Sequence, residues 1–393
     1  MTKKCIPDGW TKENLVSCLE TVIDYRGKTP KKSETGILTL SAKSVKMGYI
    51  DYNQAYYVSK KTFDKFMVRG FPKRGDVLMT TEAPLGCIAK LDRDDICIAQ
   101  RLLTLRGKKD VLDNDYLKCY LTSRRGQHEL TSRASGSTVQ GIKRTEFEKV
   151  NILLPKFEEQ KAIANILSSF DNKIELLQAQ NKTLETTAQT IFKEWFGAPK
   201  SPKGDLSEGW KEYELGEVAI LSAGGDRPKN TTTEKTIDSN IPIYSNGITN
   251  DGLYGFTNVP KISEESVTIS ARGTIGFICL RFSPYVPIVR LIAVIPIQNY
   301  LSSKYLFFWL KNQKIDGFGT TQQQLTIPVF KKTKIIIPTS TLMKEYTQQV
   351  DSFYNKIQSN NSQIQTLTKT RDTLLPKLMS GELRVNEFSE DCL

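Results

Sequence analysis

Between residues 158 and 195, apolar side chains recur in an unbroken alternation of four- and three-residue steps. They are Ile163, Leu167, Phe170, Ile174, Leu177, Leu184, Ala188, Ile191 and Trp195, with Asn181 the one polar member. A repeat averaging 3.5 residues is a coiled-coil seam, with Leu167, Ile174, Asn181, Ala188 and Trp195 at a positions and the others at d positions. Such a helix needs a partner, and residues 346–378 supply one: Tyr346, Val350, Phe353, Ile357, Asn360, Ile364, Leu367, Arg371, Leu374 and Leu378. Here Asn360 falls at d, and Arg371 interrupts an a position. In an antiparallel pair a faces d, so setting Asn181 against Asn360 brings Leu167 to Leu374, Ile174 to Leu367, Leu184 to Ile357 and Ile191 to Val350. A buried Asn pair lowers stability but penalises slipped registers, so Asn181 and Asn360 are expected to set the coiled-coil register. The alternative is that each Asn is a tolerated defect on a half-exposed seam.

The rest of the chain repeats as well. Gly9-Trp10 and Gly209-Trp210 each open a globular segment, and "RGKTP" at 26–30 corresponds loosely to "GGDRP" at 224–228. Strand-like runs broken by polar turns follow at 36–51 and 241–256, then "DVLMTTEAPLGCIAKL" from Asp76 against "SVTISARGTIGFICLR" from Ser266. Helical patterns at 116–121 and 305–310 lead into "GSTVQGIKRTEFEKVNILLP" and "GTTQQQLTIPVFKKTKIIIP", which align without gaps 183 residues apart. The expected fold is mixed α/β. Two pseudo-repeated globules, 1–155 and 198–338, alternate with two long helical segments, 156–197 and 339–393. The helices form an antiparallel coiled coil with an approximate internal twofold. A seam of about 36 residues at about 1.5 Å per residue makes a ruler roughly 50 Å long.

Charge narrows the function. The chain carries +12, and residues 1–155 hold 28 Lys and Arg against 18 Asp and Glu, a net of +10. A basic surface is an electrostatic footprint for a polyanion, either nucleic acid or an acidic membrane face. The longest apolar runs, 291–297 and 306–310, are far too short to span a bilayer and the N-terminus lacks an apolar signal core, so a cytoplasmic protein is expected. Seven cysteines with no CxxC pair argue against a disulfide framework or a zinc site, and fit small core residues.

Catalytic patterns are missing. "GKT" at 27–29 has Val22 where a phosphate-binding loop needs glycine, and Pro30 follows it. No Pro-Pro pair exists for an amino-methyltransferase loop. Glu159 and Lys161 lie at a helix start without a strand-borne acidic partner, which fits start-turn charge better than a metal nuclease. The sole histidine, His128, follows a basic helix end and fits a surface or phosphate-side role.

Three strings carry a family resemblance. "RDTLLPKLMSGELRV" (371–385), "GWKEYELGEV" (209–218) and "ISARGTIG" (269–276) resemble segments of the specificity (S) subunits of type I restriction-modification systems, and the order of segments is similar over essentially the whole chain. The first globule departs more, with "TTEAPLG" where the second has "SARGTIG". The resemblance implies a non-catalytic reader of double-stranded DNA. Each globule would be a target recognition domain for one half of a bipartite, asymmetric site, and the helix pair would fix the spacer. It further implies two modification subunits that bind S-adenosylmethionine and methylate adenine, and restriction subunits using ATP and magnesium. No cofactor or metal is expected on this chain itself. The rival readings are a coiled-coil scaffold or adhesion protein with duplicated heads, and an enzyme whose motif is unrecognised.

Candidate DNA contacts follow from chemistry, since phosphates take Arg, Lys, Ser and Thr while base edges take Arg, Lys, Asn and Gln. The loops before the last strand of each globule supply Ser137, Thr138, Gln140 and Lys143 in the first half, and Thr320, Thr321, Gln322 and Gln323 in the second. A second set comprises Arg26, Lys28, Thr29 and Lys43, matched by Arg227, Lys229, Asn230, Asn246 and Arg272. On the helices Ser168, Lys173, Gln178 and Lys182 form a polar exterior. Phe192, Phe196 and Met379 lie off the seam, either as docking sites for modification subunits or packed on the adjacent globule.

Overall fold

A computed structural model describes residues 6–25, 27–197, 206–315 and 324–385. The chain divides into two compact units, Met1–Leu177 with Ser362–Leu393, and Gln178–Asn361; the division passes through both long helices.

In chain order the first unit holds β1 (Thr11–Asn14), β2 (Leu19–Asp24), β3 (Ile37–Leu40), β4 (Tyr56–Val58), α1 (Lys60–Phe66), β5 (Val77–Thr80), β6 (Ile88–Lys90), β7 (Ile96–Ile98), β8 (Leu102–Gly107), α2 (Asn114–Thr122), α3 (Arg124–Thr131), α4 (Arg144–Phe147) and β9 (Asn151–Leu154). The helix α5 (Phe157–Phe196) follows and continues into the second unit, which holds β10 (Lys211–Glu214), α6 (Leu215–Val218), β11 (Ala219–Ala223), β12 (Ile241–Tyr244), β13 (Leu253–Thr257), β14 (Ser266–Ser270), β15 (Ile278–Arg281), β16 (Val286–Pro287), β17 (Leu291–Pro296), α7 (Ser303–Lys311), α8 (Ile327–Phe330) and β18 (Lys334–Ile337). The helix α9 (Ser340–Ser380) ends the series.

Each unit repeats one sheet plan. A four-stranded sheet runs β2-β8-β5-β6 in the first and β11-β17-β14-β15 in the second. A three-stranded sheet runs β4-β3-β7 and β13-β12-β16, and a two-stranded ribbon pairs β1 with β9 and β10 with β18. Interior strands β5 and β14 are buried along their whole length, which is why "VLMT" and "SVTIS" read as continuous apolar and small residues rather than as alternating faces. The first helix after each sheet is tied to the closing ribbon by a buried tyrosine. Tyr116 donates its hydroxyl to Leu153 O at 2.8 Å, and Tyr305 donates to Ile336 O at 2.5 Å.

The long helices join these cores. In the first unit Ile163, Ala164 and Leu167 of α5 pack with Leu378 and Met379 of α9, and Asp171 accepts from Arg371 at 2.8 Å. Asp171 also lies 3.2 Å from Lys118 of α2, so the arginine that interrupts the seam joins an ion pair reaching the globule. In the second unit Asn181 meets Asn360, and Phe192 and Trp195 meet Tyr346. Within each unit, ascending α5 descends α9, so the helices are antiparallel. Phe192, Phe196 and Met379 are 4%, 6% and 1% exposed. Of the two sequence alternatives for these residues, the structure takes packing on the globule.

Asn360 is fully buried. Its Nδ2 is shared between Asn181 Oδ1 at 2.8 Å and Gln180 Oε1 at 2.9 Å, while its own Oδ1 has no hydrogen-bond partner. Asn181 Nδ2 donates to Asn361 Oδ1 at 2.8 Å. An unsatisfied buried carbonyl costs about 1–3 kcal/mol. Asn360→Leu should therefore raise the melting temperature while admitting additional oligomers or registers, read by calorimetry and light scattering. A lower melting temperature with one species would show that the amide stabilises rather than specifies.

Candidate nucleic-acid interface

At one edge of each four-stranded sheet, three strand ends coincide. In the first unit Asp24, the last residue of β2, pairs with Leu103, and Thr80, the last residue of β5, pairs with Leu102 at the start of β8. The described residues after β2 (25 and 27–30), the turn after β5 (81–86) and Arg101 just before β8 therefore leave the sheet side by side. In the second unit Ala223 pairs with Ile292 and Ser270 with Leu291. Residues 224–230, 271–276 and Arg290 take the matching places.

The described chain just before α4 and α8 is tied to the same corner. Ile142 N donates to Thr81 O at 3.0 Å, and Leu325 N donates to Ala271 O at 2.8 Å. The end of β3 or β12 completes the group, because Ala99 N donates to Leu40 O at 2.8 Å and Ile288 N to Tyr244 O at 2.9 Å. Lys43 follows Leu40 by three residues, and Asn246 follows Tyr244 by two.

The sequence candidates that fall on described residues lie on the segments that leave this sheet edge in each unit. Lys28, Thr29, Lys43, Ser137, Thr138, Gln140 and Lys143 are exposed in the first, and Arg227, Lys229 and Asn230 in the second. Ser135 and Gly141 exchange two backbone hydrogen bonds, at 2.9 and 3.0 Å, which close the loop 136–140 with its side chains outward. Gly136 makes the turn at φ +109°, where a Cβ would stand 2.2 Å from Val139 O. The 224–230 loop is held by Gly224 N to Leu291 O at 2.7 Å and by an Arg227 hydrogen bond to the Tyr254 hydroxyl at 3.1 Å. Asn246 is half-buried and its side chain is engaged: Nδ2 donates to Arg272 O at 2.8 Å. Its backbone oxygen accepts from Ser270 and Thr274 hydroxyls, so Asn246 shapes the turn that carries Arg272. Arg26, Thr320, Thr321, Gln322 and Gln323 lie outside the described residues.

Three arginines at these corners were not among the sequence candidates. Arg101 and Arg290 occupy equivalent positions, each in left-handed backbone (φ 68° and 71°), and each carbonyl accepts from the turn, from Thr81 N at 2.9 Å and Ala271 N at 2.8 Å. The available signal was "RLL" and "RLI" opening equivalent apolar strands. Arg69 donates to Asp24 O at 2.7 Å and stacks over Tyr25, beside the 27–29 loop. No motif singles it out.

Little else in the described residues offers chemistry. Burial pushes the Cys97 and Cys279 thiols up to about 11 and Cys119 up to about 12, which keeps them protonated and unreactive. No His, Cys, Asp and Glu cluster suited to a metal occurs among the described residues. Glu159 is bound through both oxygens by Arg384, at 2.8 and 3.0 Å, and His128 is exposed on α3. Among the described residues no helix is long and apolar enough to cross a membrane.

The chain matches the family model described as type I restriction modification DNA specificity domain twice, over residues 10–186 and 207–369. It is 28% identical over 364 residues to the type I restriction enzyme MjaIX specificity subunit of Methanocaldococcus jannaschii, covering 84% of this chain and 82% of the relative. A second relative, the putative type I restriction enzyme MjaX specificity subunit of the same organism, is 24% identical over 418 residues, with 97% and 95% covered. In fold, the chain is similar to the crystal structure of a type I restriction-modification S subunit from M. genitalium, with a TM-score of 0.63 at 20% identity, covering 96% of this chain and 99% of that one. The scaffold alternative does not account for these matches.

Proposed function

Because the chain belongs to the family of type I restriction-modification DNA specificity subunits, we propose that each corner of converging loops reads one half of a bipartite DNA site. The family supplies DNA sequence recognition without catalysis, inside a complex with other restriction-modification subunits. The observation that supports the two-part reading is the duplicated corner itself. Arginines, lysines and short polar side chains are gathered at the same sheet edge in both units, with backbone hydrogen bonds holding each loop.

In this reading Lys28, Thr29, Lys43 and Lys143 in the first unit, and Lys229 in the second, contact phosphates and fix orientation. Gln140, Asn230, Arg272 and Arg290 approach base edges, where Arg pairs with guanine and Asn or Gln with adenine. The unspecified gap between half-sites is set by the paired α5 and α9. Two modification subunits carrying S-adenosylmethionine methylate adenine at the chosen site, and restriction subunits with ATP and magnesium act from the same complex. The chain works in the cytoplasm, where the DNA is.

The test is selection of bound duplexes from a randomised DNA library by this chain with its modification subunits. Two short preferred blocks at fixed separation are expected. Enrichment of one uninterrupted block, or binding with no sequence preference at about 150 mM salt, where non-specific contacts weaken, would refute the two-part reading. Gln140→Ala should relax preference in one block only. A uniform loss across sequences would assign Gln140 to phosphates.

A further inference from the structure

Two repeats built on one plan must differ where their DNA half-sites differ, and one corner couple shows such a difference. The residue before β8 and β17 is arginine in both units, in a left-handed backbone conformation that disfavours any side chain and suits glycine. Glycine would relieve the backbone at both places, so the guanidinium is the feature that arginine adds. The hydrogen bonds from Thr81 and Ala271 set the following turn against it in the same way in both units. The next turn residue is opposite in charge: Glu82 in the first unit, Arg272 in the second.

Glu82 forms an ion pair with Arg101 at 2.6 Å, with the two side chains 42% and 48% exposed. A pair so open to water contributes little to folding. The backbone that carries Glu82 is nonetheless held in place, since it bridges Gly141 of the polar loop. In the second unit Arg272 is positioned by Asn246, and neither Arg272 nor Arg290 has an ion-pair partner among the described residues. Among the described residues, one corner therefore presents a cation bound to a carboxylate, and the other presents two cations with no carboxylate partner, Arg272 half-buried and Arg290 exposed.

We infer that residues 101 with 82, and 290 with 272, are specificity-determining couples that give the two half-sites different bases. The inference rests on the DNA-reading role above. A carboxylate accepts from the amino group of cytosine or adenine and repels the two acceptors of guanine, whereas a free guanidinium pairs with guanine O6 and N7. The first unit then favours an amino-bearing base at the position its corner reads, and the second favours guanine.

The complete complex of this chain with its modification subunits, selecting from randomised duplex DNA, tests this. Glu82→Arg should move one position of one half-site toward guanine, and Arg272→Glu should move one position of the other half-site away from it, each by roughly ten- to a hundredfold in preference. Glu82→Gln, which keeps the size and removes the charge, should relax the first position and serves if the arginine variant does not fold. Unchanged preferences in all three variants, or an equal loss of affinity for every sequence, would overturn the inference and leave the couples as phosphate contacts. Failure of the unmodified complex to select two blocks would instead remove the DNA-reading role beneath it.

Discussion

Phe196→Ala should lower the stability of the second unit by about 3–5 kcal/mol. The ring is 6% exposed and meets Tyr346 at 4.9 Å, Tyr305 at 5.0 Å, Phe192 at 5.3 Å and Trp210 at 5.9 Å between centroids. It joins α5 to α9 and to the globule's own α7, so truncation leaves a cavity among residues fixed by three different elements. In a unit of this size that loss corresponds to a fall of roughly 10 °C in the corresponding transition. Calorimetry should show the second unit's transition shifted and the other unmoved. Leu176→Ala, at a residue 62% exposed on the same helix, should change neither. An unchanged melting profile for Phe196→Ala would mean that the aromatic cluster does not hold α5 against the second core.

The second large effect is functional and leaves stability intact. Gly136→Ala places a Cβ 2.2 Å from Val139 O in a backbone at φ +109°, so the 136–140 loop has to rearrange. Its side chains are exposed and the core lies elsewhere, so the melting temperature should stay within about 2 °C, as expected of a surface change. Loss of the loop's base contacts should reduce selectivity in one half-site by roughly ten- to a hundredfold, the range of a good base contact. Library selection on the variant complex checks this, and retention of both half-site preferences would exclude the loop from the interface. A fall in stability of the size expected for Phe196→Ala would show instead that the loop supports the fold.

The helices were legible because a buried stripe of period 3.5 is a local pattern repeated many times. Setting Asn181 against Asn360 placed two amides that the structure finds 2.8 Å apart. The added partners Gln180 and Asn361 are not seam residues, and periodicity says nothing of neighbours on the rim. Periodicity was equally silent on Phe192 and Phe196, since a residue off the seam faces solvent or a globule depending on what folds beside it. In the globules, the aligned strings revealed duplication but not strand order. The convergence of 27–30, 81–86, Arg101 and 135–143 depends on pairings such as Thr80 with Leu102, which link distant parts of the chain. Composition could therefore nominate Gln140 or Lys28 as polar loop residues, while Arg101 and Arg290, each opening an apolar strand, stood out only once their backbone and position were known. Equally, the contrast between "TTEAPLG" and "SARGTIG" was visible as a departure between repeats. The pairing of Glu82 with Arg101 gives that contrast a chemical meaning.

The most direct test of the account is a genome-wide map of methylated adenine in a host expressing this chain with its modification subunits. The account predicts one new motif made of two short blocks with a fixed unspecified gap, which disappears when this chain alone is omitted. A new motif without a gap, or no new methylation although the subunits co-purify as an active complex, would contradict it.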